Sequence, residues 1–269
     1  FGTEDFDDLY LKYEADKTIP KKTVPAQDLF FDLLKERAET GRIYIMNLDH
    51  CNSHSSFKDK VSMSNLCQEI TLPTTPIQHV DDEQGEIALC ILSAVNVGGL
   101  NDLGELENIC DLSVRALEQI IDYQDYPVKA AEVSTKKRRS LGIGYIGLAH
   151  YLAKHGVKYS DPKAWDIVDR LTEAFQYHLL RASCNIAMEK GKCEGFERTK
   201  YADGLLPIDH YKKDVDKIVP HKQRMAWESL RKDIAKHGLR HSTLSAQMPS
   251  ESSSVVSNAT NGIEPPRAL

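Results

Sequence analysis

No stretch of this chain is apolar for long enough to cross a membrane as a helix, which takes about 20 residues. No basic n-region or apolar h-region opens it; the first residues are Phe1-Gly2-Thr3-Glu4-Asp5. No C-x-x-C pair occurs, so the usual structural zinc motifs are absent and no metal site is expected. Basic charge is not in excess. The 34 Lys and Arg against 40 Asp and Glu leave a formal net charge of -6, which argues against broad capture of DNA or RNA. No internal repeat and no flexible linker break the chain. The six cysteines (Cys51, Cys67, Cys90, Cys110, Cys184 and Cys193) are dispersed through 269 residues, a chain too large to need stapling. They read as reduced thiols, which points to the cytoplasm. The chain does not open on Met and ends on Pro265-Pro266-Arg267-Ala268-Leu269 with no closing helix. The expectation is a single domain over residues 1–269, a piece of a longer polypeptide cut at both ends.

What is present alternates. Residues 4–18 read as a short acidic helix. Residues 25–42 read as a stronger one, with Leu29, Phe30, Leu33 and Leu34 at helical spacing and Pro25 in the entry turn. Residues 43–48 then read as a buried strand, and residues 50–54 as a polar loop. Residues 70–73 continue extended, 81–85 form a turn, and 87–92 are an apolar run of strand length. Helices are expected over 103–123, 148–155 with Gly156 as the stop, 161–190, 211–219 and 221–237. Residues 243–246 are a short strand candidate. Strands alternating with helices predict an α/β architecture with parallel strands.

The most informative segment is Asn65-Leu66-Cys67-Gln68-Glu69. In an extended chain, residues two apart share a face. Asn65, Cys67 and Glu69 would then set an amide, a thiol and a carboxylate in one row. Three readings are open. The row is an exposed strand with an incidental thiol; or Cys67 is a nucleophile, although no adjacent His is there to activate it; or Cys67 carries a thiyl radical, with Glu69 as base and Asn65 as a positioning amide. The thiol S–H bond is close in strength to an activated sugar C–H bond, so hydrogen transfer between them is nearly balanced.

Other constellations also have a plain and a functional reading. Cys90, on the apolar run, is a small buried hydrophobe or a redox thiol facing Cys67. Pro249-Ser250-Glu251-Ser252-Ser253-Ser254 reads as a helix entry, whose free N–H groups suit phosphate. Gly142-Ile143-Gly144-Tyr145-Ile146-Gly147 fits G-x-G-x-x-G letter for letter. The segment before it is Lys136-Lys137-Arg138-Arg139-Ser140-Leu141, not the apolar strand that dinucleotide binding needs, so a strand running through the glycines themselves is the alternative. Lys136 to Arg139 reads as a solvated basic face. His50, Cys51 and His54 match no closed set of metal ligands.

These blocks together resemble the catalytic large subunit of class I ribonucleotide reductase. The segments that carry the resemblance are Thr40-Gly41-Arg42-Ile43-Tyr44-Ile45, Asp49-His50-Cys51-Asn52, Ser64-Asn65-Leu66-Cys67-Gln68-Glu69-Ile70 and Gly85-Glu86-Ile87-Ala88-Leu89-Cys90. Further on come Asp122-Tyr123-Gln124-Asp125-Tyr126-Pro127, Arg138-Arg139-Ser140-Leu141-Gly142-Ile143-Gly144 and Met248-Pro249-Ser250-Glu251-Ser252-Ser253-Ser254. Ser257-Asn258-Ala259-Thr260-Asn261-Gly262-Ile263-Glu264-Pro265-Pro266-Arg267 closes the set.

The resemblance implies a ten-stranded α/β barrel, built of two halves of five parallel strands, with a central finger loop near residues 60–72. It implies Cys67 as the radical cysteine, Glu69 as the base for the substrate 3′-hydroxyl and Asn65 as the amide on the reacting sugar. Cys90 would be one of two thiols that become a disulfide. Pro249, Ser250, Glu251, Ser252 and Ser253 would hold the substrate diphosphate. The substrate is then a ribonucleoside diphosphate. The radical comes from a separate metal-containing small (beta) subunit, and thioredoxin or glutaredoxin is the final reductant. The whole large subunit would be a dimer. No cofactor is expected on this chain itself. The second redox cysteine and the sites for ATP and dNTP effectors are expected outside it, so the chain alone is expected to be inactive and to need its flanking segments. No nucleic acid or membrane partner is expected. The alternatives are a non-catalytic assembly fragment that keeps the fold, and an NAD-binding enzyme that uses Gly142 to Gly147.

Overall fold

The computed structural model describes residues 5–219 and 222–266. Glu4 and His221, where two expected helices begin, lie outside them, as does Arg267. The chain divides into two compact units, Phe1–Ser53 and His54–Leu269.

The first unit holds α1 (Phe6–Ala15), α2 (Ala26–Thr40) and all but the last residue of α3 (Leu48–His54). Pro25 occupies the N-cap of α2, and Gly41 ends that helix in the left-handed conformation at φ 65°, its N–H on the Arg37 carbonyl. None of the three helices buries a residue. Leu29, Phe30 and Phe31 are more than half exposed. The buried strand expected over 43–48 is not formed. Tyr44 and Ile45 are exposed, no strand pairs with them among the described residues, and a strand needs a neighbour to take its N–H and C=O groups. Leu48 opens α3 instead, which replaces the loop expected over 50–54. The Asn52 side chain donates back to the Leu48 carbonyl across one turn at 2.9 Å.

The second unit is built on β1 (Ile91–Asn96), α4 (Glu105–Tyr123), α5 (Lys129–Arg138), β2 (Leu141–Ile146), α6 (Leu148–Lys154), α7 (Pro162–Lys190), α8 (Trp227–His237) and α9 (Glu251–Val256). β1 and β2 are parallel, in register from Ile91 opposite Leu141 to Asn96 opposite Ile146. Residues 243–246 run along the other edge of β2. The N–H groups of Leu141 and Ile143 donate to the carbonyls of Thr243 and Leu244, and Ser245 bridges Ile143 in parallel. This is the expected α/β arrangement. Every residue of β2 is buried, as a strand flanked on both sides requires.

Helix α4 turns Leu106, Cys110, Val114, Leu117 and Ile121 inward at helical spacing. They meet Leu171, Phe175, Leu179 and Leu180 of α7 in one core. Helix α8 adds Trp227, Leu230 and Ile234. Its expected early start fails for a local reason. The Glu173 carboxylate accepts the N–H groups of Arg224 and Met225 at 2.7 and 3.1 Å and the Trp227 indole at 3.0 Å, which holds that stretch off a helical path. The helix expected over 211–219 is reduced to a 3-10 turn at Lys213–Lys217.

The basic run 136–139 is not a solvated face. Only Lys136 behaves so, paired with Glu132 on the surface. The side chains of Arg138 and Arg139 are 3% and 5% exposed and point into two separate ion networks. Arg139 adopts the left-handed conformation at φ 47° and closes α5 through its N–H on the Thr135 carbonyl. Its guanidinium bonds Glu118 at 2.7 Å and Asp122 at 2.7 Å. Glu118 also receives Arg240 at 2.8 Å and His241 at 3.1 Å. That cluster ties α4 to residues 240–242, the lead into the 243–246 segment beside β2.

Candidate active site

The segment that bears Cys67 is not extended. Asn65 N–H donates to the Ile70 carbonyl at 3.3 Å, Ile70 N–H donates to the Asn65 side-chain oxygen at 3.1 Å, and Gln68 N–H donates to the Asn65 carbonyl at 3.2 Å. Gln68 sits in the left-handed region at φ 63°. The result is a tight turn with Cys67 exposed at its tip beside Leu66. The expected row on one strand face is therefore corrected. The Asn65 side-chain oxygen competes for a backbone N–H, as short amide side chains do, and bends the chain. Buried Val61 and Leu72 anchor the two sides of this loop.

Glu69 follows the turn and is half-buried. One of its carboxylate oxygens, Oε2, is fully shielded and meets no hydrogen-bond donor. A buried acceptor left unpaired costs roughly 1–3 kcal/mol, so an incoming donor would be stabilised there.

Past the turn the chain doubles back. Thr75 and Glu86 exchange both backbone hydrogen bonds at 3.0 Å. The turn expected over 81–85 is closed by Asp82, which accepts the N–H groups of Gln78 and Gln84 at 2.8 Å each. The returning arm runs into Cys90, immediately before β1. Burial raises the Cys90 thiol to about 12, and the nearby Glu69 carboxylate pushes in the same direction. Cys90 is thus a protonated thiol within electrostatic reach of Glu69.

The glycine cluster serves this geometry. Gly142 and Gly144 lie inside β2, so they form no strand-to-helix turn around a phosphate. A Cβ on Gly142 would stand 2.7 Å from Cys90 Sγ, and one on Gly144 would stand 2.3 Å from the Ala246 carbonyl oxygen. Their missing side chains admit the Cys90 thiol and the strand that leads to residues 249–253. Gly147 caps α6 at φ 81°. The Gln247 side chain extends the pairing by bonding both backbone groups of Tyr145, at 2.7 and 3.4 Å.

That strand delivers the helix entry read from sequence. Ser250 is the N-cap of α9 and is buried, its hydroxyl on the Asn261 side-chain oxygen at 3.2 Å. Pro249, Glu251, Ser252 and Ser253 are exposed. The first-turn N–H groups of a helix have no acceptor within it.

Residues 1–269 match the family described as "Ribonucleotide reductase, barrel domain". The chain belongs to this family. It is 59% identical to the ribonucleoside-diphosphate reductase subunit alpha of Haemophilus influenzae, over 99% of this chain and 36% of that protein. It is 56% identical to the ribonucleoside-diphosphate reductase 1 subunit alpha of Escherichia coli, over 98% of this chain and 35% of that protein. It is 43% identical to the subunit alpha of Enterobacteria phage T4, over 97% of this chain and 35% of that protein. The chain therefore spans about a third of the length of these reductase relatives.

The ribonucleotide reductase fold gathers the sequence candidates unevenly. Cys67, Glu69 and Cys90 lie on two arms joined by the Thr75–Glu86 bridge, and the 249–253 entry is carried by the segment beside β2. Cys110, Cys184 and Cys193 are buried thiols of the core, and burial raises all three well above the usual range. Among the described residues no three His, Cys, Asp or Glu side chains gather to hold a metal, and no helix is long and apolar enough to cross a membrane. Sequence reasoning missed Glu86 and Glu118, both buried, and half-buried Asp59 as the partners of the arginine pair. Their only signal was two adjacent arginines ahead of a buried strand.

Proposed function

We propose that this chain is the part of a ribonucleoside-diphosphate reductase large subunit that carries the radical thiol, the base and one reducing thiol. Residues 1–269 would contribute part of one catalytic barrel, with residues 60–72 as its finger loop. The observation that carries this reading is the unpaired, shielded Glu69 oxygen beside the Cys67 turn and near the protonated Cys90. A carboxylate placed so is ready to accept a hydroxyl proton.

The substrate is a ribonucleoside diphosphate, its diphosphate held by the backbone of Pro249, Ser250, Glu251, Ser252 and Ser253. Asn65 acts by shaping the turn and presents its remaining polar groups to the sugar. A beta subunit supplies the oxidising equivalent that leaves Cys67 as a thiyl radical. Cys67 takes the 3′ hydrogen atom and Glu69 takes the 3′-hydroxyl proton. The 2′-hydroxyl leaves as water. Cys90 and a second thiol outside this chain give two electrons and two protons, and join as a disulfide. Cys67 then returns its hydrogen to the 3′ carbon, and Glu69 returns its proton to the 3′ oxygen. Thioredoxin or glutaredoxin restores the dithiol. Closure of the site around Cys67 keeps water and oxygen from the radical.

The test places this chain in the Haemophilus influenzae alpha subunit in place of the matching stretch, with the beta subunit added. Cys67→Ser and Glu69→Gln are expected to abolish or sharply reduce deoxynucleotide formation, and Cys90→Ser to stop after damage to the substrate. Full activity of Cys67→Ser rejects the reading.

A further inference from the structure

We propose that Arg138 is a positioning residue that sets the Cys67 turn against Cys90, by holding the segments that carry them on one guanidinium. The inference rests on the reductase reading of those two thiols.

Arg138 ends α5 with its side chain almost wholly buried. Its Nε donates to Glu86, and its Nη1 donates to Asp59 at 2.9 Å. The Phe57 ring lies beneath the guanidinium, 6.0 Å from its centroid. Asp59 stands on the stem that rises to the Cys67 turn. Glu86 stands on the arm that runs into Cys90, paired there with Thr75. The backbone carbonyl of Arg138 also accepts Ser242 N–H at 3.0 Å, where the chain enters the strand that leads to residues 249–253. One residue thus touches all three segments that build the site.

Charge balance alone does not call for it. Glu86 already has Lys137 at 2.8 Å, and Asp59 already has Arg198 at 2.5 Å. Those two cations match the two carboxylates. What Arg138 adds is the bridge between them, which needs a planar fork with two separate donors. Its mount is rigid, because Arg139 locks the helix end on the opposite network around Glu118.

The reductase chemistry makes this bridge consequential. Cys67 works on the 3′ carbon and Cys90 on the 2′ carbon of the same sugar. Once the 3′ hydrogen and the 2′-hydroxyl are gone, the sugar either is reduced at once or decays with loss of its base. The distance between the two arms sets that partition, and a misplacement of about 1 Å can cost about 100-fold in rate.

The test uses the grafted alpha subunit with its beta subunit. Arg138→Lys keeps the charge and loses the rigid two-donor fork. Asp59→Ala removes the acceptor on the Cys67 stem and leaves Glu86 paired, and serves if the first variant folds poorly. Both are expected to bind the nucleoside diphosphate within about twofold of the parent. Product formation should fall about tenfold or more, and free base released per deoxynucleotide should rise about tenfold or more. A variant that is merely less folded loses product and base together and leaves that ratio unchanged. An unchanged ratio in both variants, with Cys67→Ser inactive, overturns the role of Arg138 alone. Full turnover by Cys67→Ser overturns the radical reading and this inference with it.

Discussion

The side-chain oxygen of Asn65 accepts the N–H of Ile70 at 3.1 Å, and this bond closes the turn that presents Cys67. The amide that sequence reasoning assigned to the substrate is therefore also a structural clasp. Asn65→Ala removes the acceptor and should cost about 1 kcal/mol locally. Asn65→Asp keeps an acceptor and should keep the turn. Amide hydrogen exchange at Ile70 checks this: protection is expected to fall in the Ala variant and to persist in the Asp variant. Equal protection in both would show that the side chain does not hold the turn.

The titration of Cys90 should feel the Glu69 charge. The Cys90 thiol is raised by burial first and by the Glu69 charge second. Glu69→Gln removes a negative charge that disfavours the thiolate, so the Cys90 midpoint should drop from about 12. The pH dependence of alkylation at Cys90, in a background with Cys51 and Cys67 replaced by Ser, reads it directly. A midpoint that does not move would place the carboxylate out of reach.

Gly144→Ala should be among the most damaging single-methyl changes. Its Cβ would meet the Ala246 carbonyl at 2.3 Å, and a backbone atom cannot rotate away. Overpacking of this kind costs roughly 1–3 kcal/mol. Thermal unfolding should show a lower midpoint than Gly156→Ala, where open space surrounds the glycine and only its left-handed backbone is strained.

Acid should weaken the link between α4 and residues 240–242. Burial opposes ionisation of Glu118, but its bonds to His241, Arg139 and Arg240 outweigh that and hold it at about 2, below the ordinary 4.5. A depressed carboxylate contributes stability that is full above its unfolded value and fades as pH falls toward the folded one. Burial pushes His241 down, so it stays a neutral imidazole at neutral pH. Glu118→Gln should therefore lose stability at pH 7 and lose much less of it near pH 3. Urea unfolding at the two pH values checks the difference.

Much of this architecture was legible before any coordinates. Helices α4 and α7 followed from apolar spacing, and the strand through Gly142 and Gly144 followed from the lack of an apolar strand ahead of them. Cys67 and Glu69 could be singled out because a thiol and a carboxylate two residues apart are chemically conspicuous, whereas Cys90 was singled out by the family resemblance alone. Their geometry could not, because whether Asn65 faces a ligand or clasps Ile70 depends on competition for one backbone N–H. The basic run misled for a related reason. A burial decision for Arg138 and Arg139 rests on Glu86, Asp59 and Glu118, which are remote in sequence and only meet in the fold. Residues 43–48 misled in the other direction: apolar strand residues form no strand where, among the described residues, no neighbour is there to pair with them.

The central claim is that Cys67 removes a hydrogen atom from the 3′ carbon. It is tested most directly by turnover of a 3′-deuterated ribonucleoside diphosphate in the grafted alpha subunit with its beta subunit. Slower turnover of the deuterated than of the ordinary substrate, together with no turnover of either by Cys67→Ser, is the predicted result. Equal rates for the two substrates, with activity surviving in Cys67→Ser, would contradict it.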